Sequence, residues 1–155
     1  MSKVSHSVEI AAPIEYVFEF DSNPENWTKT MPSLRDLKIV DETEESVRMT
    51  AVYEMLGQSI DIEEELTIVE PNEHYRVTVE GDGVSGEINN HFEETDSGTR
   101  INHRAEFDFG DSLFDRLVAP VAQRYNERQF RNHLQHMKEL IEAEVETDTE
   151  ADIEA

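Results

Sequence analysis

Three polar residues interrupt strand faces that are otherwise apolar. Glu64 stands between Ile62 and Leu66, Asn90 between Ile88 and Phe92, and His103 between Ile101 and Ala105. Each sits at the two-residue spacing that puts neighbours on one side of a strand. If the chain turns at Asp96-Ser97-Gly98, Asn90 and His103 fall roughly opposite each other across two strands. An Asn–His pair on a concave face can orient a ligand carbonyl or hold an imidazole as a general base. A carboxyl buried among apolar neighbours, as Glu64 would be, has its pKa raised and can act as an acid. Tyr53 and Tyr75 sit on neighbouring strand faces and can pack in a core while sending hydroxyls towards a cavity. The plainer reading of each is an inward polar residue near a sheet end that meets water or a backbone group.

Little else in the chain resembles a reactive motif. No nucleophile–base pattern or phosphate-cradling loop is present, and no metal or cofactor is expected. Gly81-x-Gly83-x-x-Gly86 has nearly the glycine spacing of a dinucleotide fingerprint, but a strand follows it where that motif needs a helix. The histidines fall at 6, 74, 91, 103, 133 and 136. His133 and His136 lie three apart on one helix and off its apolar stripe, so both are expected in solvent.

The elements that position these residues follow from periodicity. Val4, His6, Val8 and Ile10 alternate as a half-buried strand, Pro13 opens a short helix, and Asn23-Pro24 caps a second that runs through Trp27. About six strands follow, beginning with Leu34–Val40. Breaks at Asp41–Glu45, Gly57-Gln58, Pro71-Asn72, Gly81-Asp82-Gly83 and Asp96–Gly98 divide them. Phe107 lies on the inner face of the last. A long helix is predicted from Asp111 to about Val145. On its wheel Phe130, Leu134, Met137 and Ile141 form an apolar stripe whose backward extension is Glu127 and Gln123. Leu113, Leu117 and Val121 form a second stripe, which a kink at Pro120 would turn onto the same concave surface. The predicted fold is α+β: a curved antiparallel sheet of about seven strands, order β-α-α-β6-α, wrapped around the C-terminal helix as one domain over 1–145. Residues 146–155 are expected to form a disordered acidic tail.

Charge narrows the partners. The 155 residues carry 36 Asp plus Glu against 13 Lys plus Arg, a net charge of −23 spread along the chain. That pattern fits a halophile surface and disfavours nucleic acid and anionic membranes as partners. The chain contains no cysteine for disulfide or thiolate chemistry. No apolar run spans a bilayer, and the opening MSKVSHSVEI has no signal-peptide core, so a cytoplasmic protein is expected. Arg124, Arg128 and Arg131 line one helix face; pairing with Glu127 or docking of an acidic protein partner would use them.

The opening Ser7-Val8-Glu9-Ile10-Ala11-Ala12-Pro13-x-Glu15-x-Val17-Phe18 and the stretch Phe20-x-x-Asn23-Pro24-Glu25-Asn26-Trp27 resemble the START-like (SRPBCC, helix-grip) superfamily. So does the ending, Phe130, Leu134 and Lys138 into Leu140-Ile141-Glu142; the likeness is to the polyketide cyclase/dehydrase-like branch. The resemblance covers roughly residues 3–145 and implies a deep cavity between sheet and long helix, with Trp27 helping to close one end. It further implies a small apolar ligand, lipid, polyketide or isoprenoid-like, held by a carrier or sensor. Ligand contacts would come from Tyr53, Glu64, Tyr75, Asn90, His103, Phe107, Gln123, Glu127 and Phe130. The alternatives are a cyclase or dehydratase using His103 as base with Glu64, Tyr53 or Tyr75 assisting, or an accessory that binds a protein. Fold alone does not choose among these.

Overall fold

The computed structural model describes the backbone of residues 2–55, 57–81, 83–108 and 113–154, and the side chains of 3–54, 57–81, 83–108 and 120–146. Strand β1 (Ser2–Ile10) leads into helices α1 (Ile14–Asp21) and α2 (Pro24–Thr30). A meander follows: β2 (Leu34–Glu42), β3 (Ser46–Met55), β4 (Gln58–Glu70), β5 (His74–Gly81), β6 (Val84–Thr95) and β7 (Gly98–Asp108). The long helix α3 (Leu113–Glu154) ends the chain. All seven strands form one antiparallel sheet in the order β1-β7-β6-β5-β4-β3-β2. This is the α+β architecture that the periodicity predicts, an antiparallel sheet against a long last helix, and the helix-grip fold that the resemblance implies.

Local chemistry places the breaks. Asn23 caps α2 by accepting from the Glu25 amide at 3.1 Å, and Pro24 occupies the first helical turn, where a missing N–H costs nothing. At the β6–β7 turn Gly98 has φ 153°, and a Cβ there would stand 2.1 Å from the Ile10 carbonyl oxygen, so only glycine lets β7 start this close to the end of β1. The edge strand β2 runs past the expected end at Val40 to Glu42. It slips register twice and carries exposed Ile39 and Val40 among charged neighbours, an edge poorly shaped for pairing with another sheet.

The core lies between the sheet's concave face and the helices. Met137 and Ile141 are fully buried, with Leu134 close behind, and the second half of α3 packs against β1 and α1. Tyr16 donates to Glu144 at 2.6 Å and the Ala11 amide to Glu142 at 3.2 Å, fastening that half at its surface. The first half is held differently. Tyr53 donates to Asn126 at 2.8 Å, Ser33 to Gln129 at 2.8 Å and Tyr125 to the Glu54 carbonyl at 3.0 Å. These polar links hold the helix to β3 and the α2–β2 connection while it stands away from the middle strands. The gap beneath is the cavity.

Some expectations change. The backbone of α3 stays helical to Glu154, past the boundary expected at 145; the side chains beyond 146 lie outside the described residues. The expected start of the helix at Asp111 and the side chains of Leu113 and Leu117 are likewise outside them. Val121, expected to face inward with those two, is 54% exposed. Among the described residues no helix is long and apolar enough to cross a membrane.

Candidate functional site

Alternation along β3 to β7 turns a band of aliphatic side chains inward, and α3 covers it with Phe130. Between them is a cavity of about 80 Å³, walled by groups such as Ile62, Val79, Ile88 and Phe107 and lined also by Trp27 and Met31. Phe107 and Phe130 stack with ring centres 5.8 Å apart, and the His103 ring lies 4.9 Å from Phe130. Gly86 makes room for this cluster, since a Cβ on it would meet the Phe107 ring at 2.3 Å.

The polar groups in this lining form a chain. Register sets Tyr75 opposite Asn90, and Asn90 opposite His103, in one row across β5, β6 and β7. Asn90 Oδ1 lies 2.7 Å from His103 Nδ1, and Asn90 Nδ2 donates to the Tyr75 hydroxyl at 2.5 Å. Behind them Asp21, at the end of α1 and fully buried, accepts from Tyr75 at 2.9 Å and from Asn90 at 3.3 Å. The carboxylate thus fixes which way the Asn90 amide points, so its oxygen faces the imidazole. His103 must then donate through Nδ1, which leaves the Nε2 lone pair free, and that atom is buried without a partner. Burial, with His133 and His6 nearby, lowers the His103 pKa to about 3, so the ring is neutral near pH 7. Burial also raises Asp21 to about 7, although Tyr75 and Asn90 pull it down, and holds the Tyr75 phenol well above its ordinary value.

Glu64 occupies another part of the wall. It is 7% exposed, its Oε1 has no partner, and burial alone raises its pKa to about 7. Across the sheet its row continues through Val79, Gly86 and Phe107. It therefore sits three strands and four residues along from His103.

The helix keeps the predicted stripe of Phe130, Leu134, Met137 and Ile141 but extends it with residues other than Glu127 and Gln123. Asn126, Phe130, His133, Met137 and Ile141 are buried, a four-three-four-four progression facing the sheet. Gln123 and Glu127 lie to one side of this row, half-buried and outside the cavity lining. His133, expected in solvent, is 6% exposed and lines the cavity, with Nδ1 2.6 Å from the Thr30 hydroxyl; burial and His136 lower its pKa to about 4. His136 is exposed, as are Arg124, Arg128 and Arg131. Tyr53 reaches the cavity rim through its bond to Asn126, and burial raises its phenol pKa. Among the described residues no three His, Cys, Asp or Glu side chains gather as a metal site.

A family model described as polyketide cyclase / dehydrase and lipid transport matches residues 1–142. The chain belongs to this family. No curated protein matches the sequence. Among solved structures, TTHA0849 from Thermus thermophilus superposes with a TM-score of 0.81 at 20% identity, covering 91% of this chain and 97% of that one. The Zhui aromatase/cyclase from Streptomyces sp. R1128 gives 0.71 at 16% identity over 93% of each chain. A START superfamily protein from Mycobacterium smegmatis gives 0.65 at 18% identity, covering 95% and 99%. At such identities these likenesses speak for the fold. Within the polyketide cyclase / dehydrase and lipid transport family, this chain has a sheet-and-helix cavity with its own polar pattern. Asp21, Asn126 and His133 belong to that pattern and were not singled out in the sequence as site residues.

Proposed function

We propose that this protein binds a small hydrophobic molecule, lipid, polyketide or isoprenoid-like, between the sheet and α3, as a carrier or sensor. The observation that carries this reading is the largely apolar cavity, walled by the Phe107–Phe130 pair and aliphatic strand faces and containing few polar atoms. Pockets of that composition favour apolar guests and use the polar atoms to orient them. At about 80 Å³ the cavity admits only a small guest, so a larger one requires its walls to part. The polar links of Tyr53, Ser33 and Tyr125 to α3 are suited to opening, because each broken bond can be replaced by one to water. Native mass spectrometry of the purified protein, followed by organic extraction, tests the reading. A discrete apolar adduct is the expected result; an empty protein that also fails to take up small apolar probes refutes it.

The oriented, unpartnered Nε2 of His103 favours a second reading, a cyclase- or dehydratase-type enzyme. Here His103 would accept a proton from a carbon next to a ligand carbonyl. In that case His103→Ala retains ligand affinity within a few-fold and abolishes turnover, whereas a carrier shows no turnover to lose.

A further inference from the structure

The atoms left without partners around the cavity define what a guest must bring. His103 is held by Asn90, which is held by Tyr75 and Asp21, so Nε2 can only accept a hydrogen bond from a neutral ring. Among the described residues lining the cavity, Glu64 Oε1, on the far part of the wall, is the other buried polar atom without a partner. Among the described residues lining the cavity there is no lysine or arginine, and the one carboxyl group is that of Glu64. A carboxylate or phosphate head placed here would lose its water, find no counter-charge and approach Glu64. Between the two polar atoms the wall is the apolar surface of Phe107, Phe130 and Val79, which suits a flat or branched hydrocarbon body.

We infer that the cavity selects uncharged, hydroxyl-bearing apolar molecules, which donate to His103 Nε2, and rejects anionic amphiphiles such as free fatty acids. This rests on the cavity being a ligand site, and it adds the polarity of the ligand. It also assigns Asp21 a role as a positioning residue that acts on the ligand through Asn90 and His103.

Three para-substituted toluenes that differ mainly in their polar group separate the possibilities: 4-methylphenol, 4-methylanisole and 4-methylbenzoate, titrated calorimetrically into the full chain at pH 7. The phenol should bind tightest. The anisole, which lacks the donor, should bind about 10-fold more weakly, because it leaves Nε2 unpaired. The benzoate should bind at least about 100-fold more weakly. In His103→Leu the preference for phenol over anisole should vanish while both still bind. Should that variant fail to fold, the wild-type ¹⁵N resonance of His103 Nε2 serves instead, moving with the phenol and not with the anisole. Equal binding of all three, or tightest binding of the benzoate, overturns the inference and leaves the apolar-ligand reading standing. Binding of none refutes that reading and the inference with it.

Discussion

Replacing Glu64 by glutamine should stabilise this protein, and only above acidic pH. The side chain is 7% exposed, no ion pair compensates it, and burial raises its pKa from 4.5 to about 7. The folded state therefore binds a proton more readily than the unfolded chain. Stability from the protonated carboxyl is fully present below about pH 4.5, declines as pH rises through the window to about 7, and is gone above it. The shift of roughly 2.5 pH units, at about 1.4 kcal/mol per unit, corresponds to about 3 kcal/mol. Glutamine keeps the shape and removes the charge, so Glu64→Gln should match the wild type at pH 4 and exceed it by up to about 3 kcal/mol at pH 8. For a chain of this size that is a rise in Tm of roughly 6–12 °C. Asp21 titrates in the same window and the buried histidines in a lower one, but both proteins share them, so the difference isolates Glu64. Urea titrations of both proteins at pH 4, 6 and 8, with equal m values, would measure it. Equal midpoints at pH 8 would show that Glu64 is hydrated or paired, and the account of its burial would be wrong.

Three further outcomes are expected. Asp21→Ala leaves the Tyr75 hydroxyl with only its longer bond, 3.3 Å, to the main-chain carbonyl of residue 21 and takes an acceptor from the Asn90 amide, and should cost about 1–3 kcal/mol by thermal or urea unfolding; an unchanged midpoint would refute the network. Gly86→Ala drives a methyl to within 2.3 Å of the Phe107 ring and should cost about 1–3 kcal/mol while weakening binding of small apolar probes. With a net charge of −23, the melting temperature should climb between low ionic strength and molar KCl, and a flat scan would show that self-repulsion is negligible.

Much of this architecture is legible in the sequence because antiparallel meanders are written in short-range signals. Alternation sorts Ile62, Glu64 and Leu66 to one face, and placing one turn at Asp96–Gly98 is enough to set Asn90 against His103. Asp21 carries no comparable signal. It ends a short helix, and its partners on β5 and β6 arrive only through the packing of α1 on the sheet. His133 escapes the sequence for a different reason. Stepping back through Phe130 by three and then four leads to Glu127 and Gln123, whereas a step of four from Phe130 leads to Asn126, and the stripe buried against the sheet is wide enough to take in His133 beside Leu134. The wheel supplies the periodicity but not the rotation of the helix about its axis. That rotation is set by the polar links from Tyr53, Ser33 and Thr30.

The position of β1 has a consequence for how the molecule assembles. Strands β2 to β7 each find a partner next to them in the chain, but β1 pairs with β7, Val4 against Ala105, across most of the sequence. It is also the strand on which the second half of α3 rests. Of the seven strands, β1 is thus the one whose pairing spans most sequence, and α3 has no complete seat until it is made. Closing that long loop is the entropically expensive step of this topology. The helix that roofs the cavity therefore depends on a pairing made between β1 and β7, far apart in the sequence.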